Sequence, residues 1–106
     1  MRFRGAAMEM HQVRYFLALC EELNFTKAAD RCNVAQPSLT RAIKLLEDEF
    51  GGELVHRERA NTHLTELGRM MRPYLTKVYE NAQLARSQGE AMRNSWIAEK
   101  ATVEAR

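Results

Sequence analysis

The stretch over residues 25–50, FTKAADRCNVAQPSLTRAIKLLEDEF, constrains the fold of this chain more than any other part of it. A short helix pattern ends at Asn33, a tight connection follows, and a longer helix pattern opens at Pro37. Asparagine tolerates the left-handed backbone conformation that ends a helix. Proline suits a first helical turn, where its missing N–H costs nothing. In the first segment Ala28, Ala29 and Cys32 form a narrow inner face, small enough for another helix to approach closely. In the second, Leu39, Ile43, Leu46 and Phe50 form an apolar stripe widened by Ala42 and Leu45, and Gly51-Gly52 stops it. Two helices joined in this way make a helix-turn-helix.

The flanks extend this unit. Over 10–23 the apolar positions Val13, Phe16, Leu17, Cys20 and Leu23 recur at helical spacing, with Asn24 placed to end a first helix. Thr26 can cap the second helix through its hydroxyl. Residues 54–57 and 63–65 are short and strand-like, and the polar run 58–62 between them, with Asn61 suited to a turn, predicts a small two-stranded wing. Thr65 can cap a last helix that runs from residue 66 to about 100. Along it Met71, Leu75, Val78, Ala82, Ala85, Gly89, Met92 and Trp96 recur at alternating steps of four and three, a coiled-coil seam. Such a seam predicts a partner helix, most simply the same helix of a second copy. Pro73 lies two turns in, where a kink is expected. The expected organisation is therefore a loose tail over 1–8, a winged helix-turn-helix over 9–65, and a linker or dimerisation helix over 66–106. The fold class is mainly α.

Composition excludes other classes. At 106 residues the chain is one small domain with an appended element, and its modest core would gain from dimerisation. No apolar run is long enough to span a bilayer, and MRFRGAAMEM lacks the apolar segment of a signal peptide. A cytosolic chain is expected. Cys20 and Cys32 fall on apolar helical positions and read as buried, reduced cysteines. His11, His56 and His63 stand apart from carboxylate or cysteine companions at ligand spacing, so neither a metal nor another cofactor is expected. The net charge of +2 is only mildly basic, so a nucleic-acid partner has to be argued from where the charges sit.

Those charges favour one face. Near the start of the third helix stand Gln36, Ser38, Thr40, Arg41 and Lys44. Glutamine can read adenine and arginine can read guanine bidentately. Hydroxyls and helix N-terminal amides suit phosphate oxygens. Any exposed helix face carries residues of these kinds, but the second helix of a helix-turn-helix is the one that enters the major groove. Arg41 is the foremost base-reading candidate, and Lys44 reads as a phosphate contact or a solvated lysine. Thr26 and Lys27, at the start of the second helix, are further candidates for the backbone, with a solvated surface lysine an equal account of Lys27. On the wing Arg57 and Arg59 can follow the backbone or enter a narrow minor groove, and surface solubility is the competing account of both. Arg31 is expected to pair with an acid such as Asp30 or Glu47. Glu47, Asp48 and Glu49 sit at the helix end disfavoured by the macrodipole, and the sequence offers only that they keep this end off the phosphates.

Several motifs in order carry a resemblance. These are Phe25-Thr26-Lys27-Ala28-Ala29, Val34-Ala35-Gln36-Pro37-Ser38-Leu39-Thr40-Arg41, Leu45 through Phe50 with Gly51, Arg57, and Leu64-Thr65-Glu66-Leu67-Gly68 with Pro73 beyond. Over about residues 9–75 the chain resembles the N-terminal DNA-binding domain of LysR-type bacterial transcriptional regulators. The resemblance implies a winged helix-turn-helix and a long linker helix that pairs antiparallel with its copy. It implies DNA contacts from the positions of Gln36, Pro37, Ser38, Thr40 and Arg41, and from the wing at Arg57. It also implies a homodimer on an inverted-repeat operator in the bacterial cytoplasm, associated with the nucleoid. Three positions depart from the family pattern. Ala35 stands where a serine is frequent, which weakens a helix cap by about 1 kcal/mol if nothing replaces it. Ala60 stands where a second wing arginine is frequent, and Val55 where phenylalanine is usual. Family members also carry a C-terminal effector-binding domain. This chain is expected to lack one, and with it a small-molecule effector site.

Two function classes compete. The first is a sequence-specific, dimeric DNA-binding module of a transcription factor. The second is a protein-interaction module whose seam helix pairs with a full-length regulator and poisons it, or binds another protein. Steeply salt-dependent DNA affinity marks the first, and dimerisation without DNA binding marks the second. An enzyme ranks well below both, because the sequence offers no Ser/His/Asp, Cys/His or metal-spaced cluster.

Overall fold

The computed structural model describes residues 8–58 and 61–104. Arg59 and all of the expected tail except Met8 lie outside them. The element order is α1 (Met10–Glu22), α2 (Phe25–Cys32), α3 (Gln36–Phe50), β1 (Val55–Glu58), β2 (Asn61–Leu64) and α4 (Glu66–Glu104). The architecture is the mainly α, winged helix-turn-helix class that the pattern predicts. The chain divides into two units, 1–76 and 77–106.

In the first unit α1, α2 and α3 enclose the core. Val13, Phe16 and Leu19 of α1, Ala28 and Ala29 of α2, and Leu39, Ile43 and Leu46 of α3 are all buried where the three helices pack together. The alanines do as expected and let the helices close on one another. Leu45 departs from expectation. It is exposed, because the stripe that α3 buries is only as wide as Leu39, Ala42, Ile43 and Leu46. In α1 the buried face includes Gln12 and Tyr15, while Leu17 is half-buried.

The helix ends follow local chemistry. Asn33 takes the left-handed conformation at φ 58° and ends α2, and the Val34 N–H folds back to the Ala29 carbonyl at 3.0 Å. Pro37 lies in the first turn of α3, and Gly51 ends that helix at φ 75°. Asn24 does not end α1. Leu23 does so, at φ 49°, and Asn24 caps α2 by accepting from the Lys27 N–H at 2.8 Å. Thr26 therefore lies inside α2 and is not its cap. An asparagine can serve either role, and the open N-terminus of α2 has the greater need of a side-chain acceptor.

β1 and β2 pair antiparallel, Val55 with Leu64, His56 with His63, Arg57 with Thr62 and Glu58 with Asn61. The ladder thus takes in Glu58, Asn61 and Thr62, which were expected in the turn. Each added pair satisfies backbone groups that would otherwise lack protein partners, and the strands are exposed enough to tolerate polar side chains.

Thr65 caps α4 as expected, its Oγ1 accepting from the Gly68 N–H at 3.0 Å. That hydroxyl also donates to the Glu53 carbonyl at 2.6 Å, and the Thr65 N–H donates to the Leu54 carbonyl at 3.0 Å. Gly68 is buried, and a Cβ built there would overlap the Leu54 carbonyl oxygen. Only glycine lets α4 begin this close to the segment that enters the wing. Leu75, expected on a partner-facing seam, is instead 2% exposed within the chain itself. α4 continues as helix through Pro73.

Cys20 and Cys32 are buried and unbridged. Burial pushes the Cys20 thiol up to about 11 against the opposing pull of Arg72, and it also raises Cys32. Thiols held protonated in this way are poor nucleophiles.

Replacing Gly68 with alanine is expected to destabilise the chain by about 3 kcal/mol or more, since the obstructing atom belongs to the backbone. Thermal unfolding followed by circular dichroism measures this. An unchanged midpoint would mean that α4 can start farther from Leu54.

Candidate nucleic-acid interface

The exposed face of α3 follows from its buried one. A turn of 3.6 residues places Leu39, Ala42, Ile43 and Leu46 on one side. The opposite side carries Pro37, Ser38, Arg41, Lys44 and Leu45, all exposed, with half-buried Thr40 at the edge nearest the wing. Gln36 opens the helix and is also exposed. Among the described residues the side chains of Gln36, Ser38, Arg41 and Lys44 make no hydrogen bond or ion pair. Ala35, at the N-cap, supplies no side-chain acceptor to the first turn. This end of α3 therefore presents polar side chains and backbone amides to whatever lies in front of it.

Arg31 does not belong to that face. Its Nη1 lies 2.7 Å from Glu21 and 3.2 Å from Glu22, so its partners come from α1 and not from Asp30 or Glu47. The i→i+1 spacing to Asp30 points the two side chains apart, and Glu47 is engaged elsewhere. The Glu21 hydrogen bond holds the Arg31 guanidinium more firmly protonated than usual. Lys27 and Thr26 are exposed near the start of α2.

The wing carries the second set of candidates. Arg57 of β1 donates from Nη2 to Thr40 Oγ1 at 3.0 Å, and its guanidinium carbon sits 3.5 Å from the centre of the Phe25 ring. The structure thus gathers Phe25 of α2, Thr40 of α3 and Arg57 of β1 at one place. Beside them runs an open groove of about 340 Å³ between α3 and the wing, lined also by Lys44, Val55 and His56. His56 and His63, cross-strand neighbours, have ring centres 5.2 Å apart, with Glu53 3.4 Å from His56. Among the described residues no group of three or more potential ligands could hold a metal ion.

Glu47 seats this arrangement. Its Oε2 accepts from the Leu54 N–H at 2.7 Å, one residue before β1. Its backbone carbonyl accepts from the N–H groups of Gly51 and Gly52 at 2.8 and 3.1 Å. The acid at the disfavoured helix end is there to hold the strand that follows. Sequence reading missed this because the partner is a backbone N–H, which leaves no mark in residue identity. It also passed over Phe25 as a platform for Arg57, where an aromatic residue and an arginine thirty-two positions apart give no local signal.

The model of the family described as bacterial regulatory helix-turn-helix protein, lysR family, matches residues 3–69. The chain belongs to the lysR family. Among curated lysR-type relatives, it is 48% identical over 63 residues to a probable cat1 operon transcriptional activator of Acinetobacter lwoffii, covering 59% of this chain and 21% of that protein. Two solved structures of DNA complexes share the lysR-family fold. The BenM_DBD complex with catB site 1 DNA matches with TM-score 0.74 and 38% identity, over 80% of this chain and 96% of that one. The CbnR_DBD–DNA complex matches with TM-score 0.75 and 32% identity, over 80% of this chain and 98% of that one. The chain spans about a fifth to a quarter of the length of the curated relatives it matches first.

Replacing Glu47 with alanine leaves the Leu54 N–H without its acceptor and is expected to cost about 1–3 kcal/mol, whereas glutamine keeps an acceptor and costs less. Urea denaturation of the two variants separates them. Equal losses would mean that the bond to Leu54 contributes nothing.

Proposed function

We propose that this chain is the DNA-binding part of a homodimeric transcriptional regulator that reads double-stranded DNA sequence-specifically. α3 enters the major groove and the wing lies on the adjacent backbone or minor groove. The observation that carries this reading is the exposed face of α3, where the side chains of Gln36, Ser38, Arg41 and Lys44 have no partner among the described residues. It stands on a scaffold alike to domains solved on DNA. On that face Arg41 is the base reader, with Gln36 beside it. Pro37 packs on the DNA, Ser38 and Thr40 offer hydroxyls, and Lys44 meets a phosphate. Lys27 and Thr26 approach the backbone from α2, and Arg57 belongs to the wing.

The homodimer forms through α4. In the second unit Met92 and Trp96 are exposed, at 53% and 63%. At about 100° per residue Val103 continues the stripe of Ala85, Gly89, Met92 and Trp96, whereas Leu84 and Ile97 fall off it. Nothing lies within 4 Å of a Cβ built on Gly89. A glycine in an exposed helix interior costs about 1 kcal/mol against alanine, and a close partner helix gives that cost a purpose. Met71, Val78 and Ala82 also belong to the seam, and Leu75 drops out of it. Two copies on a two-fold axis face half-sites about one helical turn, or a multiple of it, apart in an inverted repeat. No helix among the described residues is long and apolar enough to cross a membrane.

Arg41→Ala is expected to lower affinity for the preferred site by about 1–3 kcal/mol and to relax preference at one base pair. Anisotropy titrations against duplexes substituted at each position measure both. A uniform loss on every duplex would make Arg41 a phosphate contact. Trp96 is the only tryptophan and reports on the dimer. Its emission should shift to shorter wavelength as concentration rises, in step with dimer formation by sedimentation, and Met92→Glu should hold the chain monomeric. A monomer at every concentration would contradict the pairing of α4.

A further inference from the structure

We propose that Arg57 is a positioning residue that acts on DNA through Thr40, fixing that hydroxyl as a proton donor aimed at an acceptor on the DNA. The proposal rests on the DNA-binding reading above. A guanidinium has donors and no acceptor, so at 3.0 Å from Arg57 Nη2 the Thr40 Oγ1 must be accepting. The hydroxyl proton is then free to point elsewhere. A helical threonine ordinarily spends that proton on the carbonyl four residues back. Thr76 does so with Arg72 at 2.8 Å, and Thr102 with Ala98 at 3.0 Å. Thr40 makes no such bond to Gln36 among the described residues. Its proton is left uncommitted, at the edge of the face that α3 presents to DNA.

The guanidinium is itself held. Phe25 is 8% exposed, and its ring covers the guanidinium with 3.5 Å between the ring centre and Cζ. A flat, delocalised cation stacks in this way, and a lysine ammonium has no such face. Asn24 fixes the start of α2 by its cap to Lys27, and so fixes where the ring stands. Three elements therefore converge on one hydroxyl, α2 through the ring, β1 through the arginine and α3 through the threonine backbone. A donor held in this way suits a phosphate oxygen, or the acceptor edges of guanine and of thymine O4, and it disfavours the amino groups of adenine and cytosine.

The test is a double-mutant cycle of Thr40→Val and Arg57→Lys, with binding measured by anisotropy and folding checked by thermal unfolding. Valine keeps the branched shape and removes the hydroxyl, and lysine keeps the charge and removes the stacked plane. Each single change is expected to weaken binding about ten-fold, the worth of one good hydrogen bond. In the Thr40→Val background Arg57→Lys should cost less than about two-fold, because the group it positions is gone. Each variant is also titrated against duplexes substituted one base pair at a time. A shared loss of preference at one base pair means that the acceptor is a base edge, and a shared uniform loss means that it is a phosphate. Additive losses, or losses at different base pairs, would make Arg57 and Thr40 independent contacts and overturn the proposal. If the wild-type chain binds no duplex at all, the DNA reading fails and this proposal with it.

Discussion

Leu54 is held from three sides, and the outward face of the first unit depends on how firmly. Its N–H donates to the Glu47 carboxylate at the end of α3, and its carbonyl accepts from Thr65 at the start of α4. The same carbonyl lies where only glycine at position 68 leaves room. Its side chain is fully buried. The residue thus ties the end of the candidate recognition helix, the first strand of the wing and the first turn of α4 into one junction. The two hydrogen bonds are short-ranged and satisfy backbone groups of Leu54 that would otherwise be left without a partner.

With that junction made, a chain of consequences reaches the surface. β1 leaves Leu54 in a fixed direction, which puts Arg57 two residues beyond Val55, on the same side of the strand. The guanidinium then lies over Phe25 and against Thr40. The wing is therefore registered on α3 twice, once at its base through Glu47 and once through Arg57. An interface that must match a rigid duplex gains from such registration, because side chains that reach together need their backbones held together.

Much of this was legible in residue identities, and the boundary is physical. Asn33, Pro37, Gly51 and Thr65 act through their own backbone or hydroxyl chemistry within a turn, so position alone revealed them. Asn24 was ambiguous because it suits either side of a helix junction, and only the competition with Thr26 for α2 decides it. Leu75 was read from seam periodicity, but a helix that starts inside a domain gives its first apolar residues to that domain. Glu47 and the Phe25–Arg57 stack were out of reach, since both depend on contacts that only the fold brings together. The exposed face of α3 was legible as a set of residues. That Gln36, Ser38, Arg41 and Lys44 lack partners among the described residues emerged only from the structure.

Selection from a random duplex library, followed by anisotropy on the winning and a scrambled duplex over a salt series, tests the central claim most directly. The account predicts an inverted repeat bound far more tightly than the scrambled duplex. It also predicts a log–log salt slope of about −0.9 per neutralised phosphate. Enrichment of no sequence, with equal and weak binding to both duplexes, would contradict it.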